Sequence, residues 1–360
     1  MSYKITLIPG DGIGPEVSRA AKMCLEATGV NFEWEEVIAG SNAIEKFGTP
    51  LPAYVLRSMR KNKVAIKGPI ITPIASGFRS VNVALRQELN LFACVRPAKS
   101  IPGINSPFKN IDLVIVRENT EDLYAGIEFA KGSSQAVKVV SLIEKLQPKK
   151  IARDSAISIK PISVTASRRI ARFAFEYAIK NNRKKVTIVH KANIMKFSDG
   201  LFLETAKGVG KKYSPRVACD DCLVDNLAMQ LVKNPQNFDI LLLPNLYGDI
   251  ISDLCAGLIG GLGVAAGANI GRDAACFEPV HGSAPKYAGK DKVNPTAMIL
   301  SGVLLLRYLG EDKAADRLEN AVIDVIKEGK FVTYDLKQER NDPTAVGTQK
   351  MTEQICKRLR

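Results

Sequence analysis

The chain has 360 residues, of which 46% are hydrophobic and 24% charged, and its net charge is +14. This composition excludes a disordered chain and leaves room for two domains, or one large α/β unit, whose core needs no disulfide or metal staple. The positive balance suits an anionic partner. However, the basic residues fall in short clusters (Lys149-Lys150, Arg168-Arg169, Arg183 to Lys185, Lys211-Lys212) that fit solvated helix faces and turns, so neither a nucleic acid nor a membrane surface is the expected partner.

The chain opens on a short buried strand, Ile5 to Ile8. It lacks the apolar stretch of a signal peptide and the Arg/Ser-rich form of a transit peptide, so a cytoplasmic protein is the expectation. A helix from about Pro15 to Thr28 follows, with Pro15 in the first turn, where its missing N–H is not needed. The glycines between them, Gly10, Gly12 and Gly14, have the spacing GxGxG rather than GxGxxG. No acidic residue closes a following strand in the place a dinucleotide fingerprint needs, so this segment reads as a tight turn. Further buried strands are expected at Val64 to Lys67, Leu113 to Val116, Val186 to Val189, Ile240 to Leu243 and Ala274 to Phe277, and helices over 80–90, 166–180, 199–207, 295–309 and 314–328. Such alternation predicts a layered α/β architecture. The polar, β-branched stretch 127–163 reads as an excursion of strands or loop, and the Gly/Ala-rich stretch 257–271 as a helix end mixed with turns.

The seven cysteines are odd in number and scattered, which argues for reduced thiols. The Cys219-to-Cys222 pair lacks a second Cys or His pair at zinc spacing. No apolar run reaches membrane-spanning length.

Four constellations carry chemistry. Ser80, Asn82 and Arg86 lie at the start of a predicted helix, Asn82 and Arg86 on one face, with Arg96 and Arg117 beyond. A helix N-terminus favours an anion, and three guanidinium groups in one pocket would grip carboxylates; solvated arginines are the alternative. Tyr124, at a strand–loop junction, is either packing or a general acid. Lys191 and Asn193 directly follow the strand at 186–189, where side chains point into the ligand crevice of α/β enzymes, and Lys191 could transfer a proton. Asp249 and Asp253 are four apart after the strand at 240–243. They form either a hard-oxygen pair for Mg²⁺ or Mn²⁺ or a cap and a solvated side chain, with Asp225 as a third candidate ligand. His281 to Asn294, with Lys286 and Tyr287, form either a rigid loop that could hold an adenine and a phosphate or an ordinary surface loop.

Together these segments, from Ile8-Pro9-Gly10-Asp11-Gly12-Ile13-Gly14-Pro15-Glu16 to the last helices, resemble the isocitrate/isopropylmalate dehydrogenase family of β-decarboxylating dehydrogenases. The resemblance implies a non-Rossmann α/β/α sandwich of two domains plus a clasp. These are a large coenzyme domain (1–91 and 260–360), a small substrate, metal and dimer domain (92–120 and 164–259) and a clasp (121–163). Ser80-Val81-Asn82-Val83-Ala84-Leu85-Arg86 is similar to the isocitrate version of its motif, implying isocitrate as substrate, with homoisocitrate or isopropylmalate the lesser alternatives.

The implied substrate contacts are Ser80, Asn82, Arg86, Arg96, Arg117 and Asn193. Tyr124 and Lys191 are the implied acid/base pair, and Asp225, Asp249 and Asp253 the implied ligands of Mg²⁺ or Mn²⁺. Lys191, Asn193 and Asp225 would reach the site from a partner, giving a homodimer with shared active sites. The implied coenzyme contacts are Lys67, Thr72, Glu278, His281, Gly282, Ser283, Ala284, Lys286, Tyr287, Val293, Asn294, Tyr334 and Asp335. Lys286 and Tyr287 match the pair that grips the 2′-phosphate of NADP, where NAD relatives carry Asp-Ile. Gln338 departs from the arginine of the NADP pattern, with Arg340 close by, so NAD is the alternative. A catalytically silent regulatory paralogue would lack some of Tyr124, Lys191 and the three aspartates, and all are present.

Overall fold

Each apolar run singled out as a buried strand becomes one in the computed structural model, which describes residues 2–71 and 80–359. The strands are β1 (Tyr3–Ile8), β2 (Phe32–Glu36), β3 (Val64–Lys67), β4 (Ala93–Lys99), β5 (Asp112–Glu118), β6 (Glu128–Phe129), β7 (Ile157–Ser158), β8 (Lys185–His190), β9 (Ala218–Leu223), β10 (Ile240–Leu243), β11 (Ala266–Ile270) and β12 (Ala275–Pro279). The helices are α1 (Gly14–Ala27), α2 (Ser41–Phe47), α3 (Ala53–Asn62), α4 (Val81–Glu88), α5 (Ser134–Leu146), α6 (Val164–Lys180), α7 (Ser198–Gly210), α8 (Val224–Lys233), α9 (Asn245–Leu258), α10 (Thr296–Tyr308), α11 (Asp312–Glu328) and α12 (Thr348–Lys357).

Strand periodicity explains the layering. Ile5 and Leu7 of β1 share one core with Val64 and Ile66 of β3 and with residues of α1 and α10. Ile8 and Ala65, pointing the other way, share a second core with Val55 and Met59 of α3 and Val81 and Leu85 of α4. A strand apolar on both faces must be covered on both, and the result is an α/β/α sandwich. One ten-stranded sheet runs β2-β1-β3-β12-β11-β4-β5-β10-β8-β9. Its wings are parallel, and its centre, β12-β11-β4-β5, is antiparallel. Because β5, β10 and β8 are parallel neighbours, the segments leaving their C-terminal ends emerge along one edge. Those segments carry Tyr124, Asp249 and Lys191.

Two stretches differ from the sequence reading. The 127–163 excursion contains a full helix, α5, between the short paired strands β6 and β7. Its start is capped by Ser133, whose Oγ accepts from the Ala136 N–H, and Ala136 and Val140 bury one stripe. Cap and stripe outweigh the low helix propensity of its valines. The 257–271 stretch contains β11, a central strand that pairs with both β12 and β4. Its Gly and Ala residues hide a strand from propensity, while the sheet supplies the pairing.

A buried polar knot pins the sheet centre. Glu278 on β12 accepts from Lys67 Nζ of β3 at 2.7 Å, Asn269 Nδ2 of β11 at 2.7 Å and Arg86 Nη2 of α4 at 3.2 Å. Asn119, after β5, donates to Asn269 at 3.1 Å. Burial opposes ionisation of Glu278, but Lys67 and Arg86 prevail and hold its carboxyl far below the usual range. Glu278→Gln leaves two buried cations short of a partner, so it is expected to destabilise the fold by about 3–5 kcal/mol at pH 7, read as a lowered thermal midpoint. Since the folded pKa is depressed, this contribution is present above the ordinary glutamate value of about 4.3 and is lost as the pH falls through the folded value. The gap between wild type and variant should therefore stay constant from neutral pH down to about pH 5 and narrow below it.

Candidate active site

Arg117 is the centre of the site. It is the penultimate residue of β5, is fully buried, and its neighbours fix its plane. Nε and Nη2 donate to Asn245 Oδ1 at 2.9 and 2.7 Å, and Asn245 in turn donates to the Glu121 carbonyl at 3.1 Å. Nη1 bonds to Asp249 Oδ1. The guanidinium lies 4.8 Å from the centre of the Tyr124 ring, and the Tyr124 hydroxyl donates to Asp249 Oδ2 at 2.6 Å. Gly248 makes this possible, because a Cβ there would collide with Cβ and Cγ of Arg117.

Arg96, on β4, donates to Ser252 Oγ at 2.6 Å and stands 3.4 Å from Asp253 and 3.7 Å from Asp249. Arg86 completes the group from α4, with its Nε buried and without a partner among the described residues. On the same helix, Asn82 Oδ1 is also buried without one, and Ser80 occupies the cap position with no side-chain cap bond. The structure thus brings Arg86, Arg96, Arg117 and Tyr124 together around Asp249, with Ser80 and Asn82 at the start of Arg86's helix and polar valences left over.

Asp249 and Asp253 stack one turn apart on α9, as their spacing predicts. Burial raises the Asp253 carboxyl, Arg96 opposes this, and the like charge of Asp249 adds to it. At Asp249, burial also disfavours the charge, but Arg117, Tyr124 and Arg96 hold the carboxyl below its ordinary value. Burial, then the bond to Asp249, pushes the Tyr124 hydroxyl up, so it stays protonated at neutral pH and able to donate.

Two hard oxygen donors on one face, repelling each other in part, fit a divalent cation. Asp225 does not join them within one chain, and no group of three acidic, His or Cys ligands forms among the described residues. Asp225 instead pairs with Lys191 Nζ at 2.5 Å, and that bond lowers its carboxyl. Asn193, two residues on, is exposed.

The expected coenzyme residues form a second feature, a cleft of about 250 Å³ lined by His281, Gly282, Ala284, Tyr287, Val293, Asn294, Tyr334 and Asp335, with Ile13 and Gly263 added. The Gly10–Gly14 turn serves as its floor rather than as a phosphate cradle. Ile13 N–H donates to the Ser283 carbonyl at 2.9 Å, and a Cβ on Gly12, whose φ is +60°, would collide with that oxygen. His281 Nδ1 meets the Gly282 carbonyl at 3.0 Å, which makes Nδ1 the donor and leaves Nε2, buried and unpartnered among the described residues, as an acceptor. Burial, with Lys67 adding, lowers the His281 pKa.

Asn294 donates to Asp335 at 3.0 Å. At the mouth, the Tyr287 hydroxyl is lowered by a bond from Tyr334 and then by Lys286, Lys292 and Arg340. Lys67 and Glu278 sit behind the cleft, bonded to each other. Thr72 lies outside the described residues.

Sequence reasoning missed Asn245, Ser252, Lys292 and the role of Gly248. Asn245 was within reach: it follows a buried strand's C-terminal end, the signal that singled out Lys191.

Comparison with known proteins gives the family. Residues 4–355 match the family described as isocitrate/isopropylmalate dehydrogenase. The crystal structure of an isocitrate dehydrogenase from Methylococcus capsulatus is 51% identical, superposes with a TM-score of 0.90 and is covered over 99% of each chain. A Dictyostelium discoideum protein, named as a regulatory subunit of mitochondrial NAD-type isocitrate dehydrogenase, is 49% identical, with 92% of this chain and 87% of that protein covered. The NADP-type isocitrate dehydrogenase of Archaeoglobus fulgidus is 43% identical, with 99% and 92% covered. With one family matched across nearly its whole length, the chain belongs to the isocitrate/isopropylmalate dehydrogenase family.

Proposed function

We propose that the protein oxidatively decarboxylates isocitrate to 2-oxoglutarate and CO₂ with reduction of NADP, as a metal-dependent homodimer. The observation that carries the substrate assignment is the convergence of Arg86, Arg96 and Arg117, with Ser80 and Asn82 opening the helix that presents Arg86. Three cations offer one partner each to a tricarboxylate, and the unpartnered Arg86 Nε and Asn82 Oδ1 are valences for a polar ligand.

Asp249 and Asp253, with Asp225 of a second copy, would hold Mg²⁺ or Mn²⁺. Such a cation, when bound, would supply Lewis acidity towards the substrate hydroxyl and the negative charge that develops on loss of CO₂. The nicotinamide supplies the hydride acceptor. The chain's own residues do the rest. The arginines orient isocitrate by its carboxylates. Lys191 takes the hydroxyl proton as C2 loses hydride, and Tyr124, still protonated, returns a proton to C3 after decarboxylation.

The homodimer is supported by apolar side chains around the residues that would serve a partner's site. Phe197 is 92% and Ile194 71% exposed beside Lys191 and Asn193, and Met229 and Val232 are exposed on the helix of Asp225. Such a cluster is the mark of an interface. Leu142 and Leu146 on the clasp helix α5 are exposed as well.

NADP is supported by Lys286, Lys292 and Arg340 acting together on Tyr287, a positive mouth suited to a 2′-phosphate. NAD is the second reading, favoured by the neutral Gln338.

Initial rates with Mg²⁺ test the assignment. Isocitrate should turn over and 3-isopropylmalate should not, with kcat/KM higher for NADP than for NAD. Lys286→Asp should lower kcat/KM for NADP by about 10–100-fold, as loss of a charge-assisted contact of about 1.5–3 kcal/mol implies. Turnover of 3-isopropylmalate alone would overturn the substrate assignment, and an unchanged coenzyme ratio would overturn the phosphate grip.

Tyr124→Phe should lower kcat by about 10²–10⁴-fold, the usual share of a general acid, with the isocitrate KM nearly unchanged. A raised KM at constant kcat would instead make Tyr124 a binding residue.

A further inference from the structure

We propose that Lys160 is a positioning residue for both proton-transfer groups, tying the turn that carries Tyr124 to the turn that carries Lys191. The inference rests on the acid/base reading of those two residues. Lys160 follows β7 in the clasp, and its side chain is only 14% exposed. Its Nζ lies 2.7 Å from Asp199 Oδ1 and 3.7 Å from Asp122 Oδ1, and both carboxylates are fully buried. The ammonium also sits 4.5 Å from the centre of the Tyr247 ring, on the first turn of α9. Among the described residues no other basic side chain pairs with Asp122 or Asp199, so one cation serves two buried anions.

Each anion holds one catalytic turn. Asp199 Oδ2 accepts from the Lys191 backbone N–H at 2.7 Å, fixing the residue at the mouth of β8. Asp122 lies two residues before Tyr124, in the left-handed region at φ +68°, which a non-glycine residue adopts only when its surroundings hold it there. What holds it is visible. Its Oδ2 accepts from the Leu246 N–H at 2.8 Å and its Oδ1 from Leu123 N–H at 2.8 Å, and its own N–H donates to the carbonyl of Pro161, the neighbour of Lys160, at 3.0 Å. The Lys160–Pro161 segment therefore grips the Tyr124 turn by backbone and by charge, and the Lys191 turn by charge alone. In the proposed dimer, Tyr124 and Lys191 serve different sites, so one lysine sets the acid of one site and the base of the other. The residues that bind isocitrate and coenzyme, Arg86, Arg96, Arg117 and the His281–Asn294 cleft, make no bond to Lys160.

The test is steady-state kinetics of the full-length protein with isocitrate, Mg²⁺ and NADP. Lys160→Met should lower kcat by about 10–100-fold, the effect of displacing a catalytic group by about an ångström, and leave both KM values within about threefold. Lys160→Arg, which restores the cation, should recover most of kcat. Asp199→Asn keeps the shape and an acceptor for Lys191 N–H, so it reads out the same tie where Lys160→Met folds poorly. It should lower kcat without raising KM, and the double variant should be no worse than the poorer single one.

Wild-type protein and Tyr124→Phe run alongside. A wild type inert towards isocitrate, or a Tyr124→Phe variant with full kcat, would sink the acid/base reading. If those two behave as expected but Lys160→Met or Asp199→Asn keeps wild-type kcat, or loses only KM, the positioning role is overturned. Failure of Lys160→Arg to rescue kcat would overturn it as well.

Discussion

A guanidinium with no exposure to water organises this active site. A buried cation needs anionic or carbonyl partners close by, and Arg117 draws its partners from α9, through Asn245 and Asp249. That requirement fixes where α9 begins, why its fourth residue is glycine, and why the Tyr124 ring lies over the guanidinium with its hydroxyl on the same carboxylate. Arg96 repeats the arrangement one turn on, at Ser252 and Asp253. In the free chain, cations and carboxylates neutralise one another. Under the proposed function, a tricarboxylate and a divalent cation would offer both sets new partners at once, the arginines turning to the substrate and the aspartates to the metal. Mutual pairing is what allows so many charges to be gathered in one place, and the exchange would keep them paired once the ligands bind.

The polar knot at Glu278 gives this arrangement its frame. Arg86 belongs to both: one nitrogen holds Glu278, and another is left over for a ligand. Lys67 and Glu278, which the family resemblance puts among the coenzyme contacts, act here from behind, joining β3, β12 and α4 under the cleft. The loop expected to hold the coenzyme is then seated on the Gly10–Gly14 turn through Ser283. A cluster that invites comparison with a dinucleotide fingerprint is thus a packing surface whose glycines are needed for close backbone contact.

Much of this was legible in the sequence because the signals were local. Buried strands read as apolar runs, α9 presented two aspartates at helical spacing, and most residues of the cleft lay within one continuous loop, 281–294, with Tyr334 and Asp335 added by the family resemblance. The illegible parts depend on long-range geometry. Asn245 joins Arg117 to the Glu121 carbonyl, and Lys160 reaches Asp199 across 39 positions of the chain. β11 is too rich in Gly and Ala to declare itself and is a strand because β4 and β12 flank it. Helix α5 is hidden by valines, and only its cap and its buried stripe reveal it. The pairing of Asp225 with Lys191, away from Asp249, likewise depends on the fold rather than on any spacing.

The central claim, that charges paired within the chain exchange partners when substrate and metal bind, is tested most directly by a crystal structure of the protein with isocitrate and Mg²⁺. The account predicts Arg86, Arg96 and Arg117 on the carboxylates of isocitrate. It also predicts Asp249 and Asp253 turned to the metal, joined by the partner's Asp225 at about 2.0–2.1 Å, the length typical of Mg²⁺–oxygen bonds. An Arg117–Asp249 pair left intact, with isocitrate bound elsewhere or the metal held without Asp249, would contradict it.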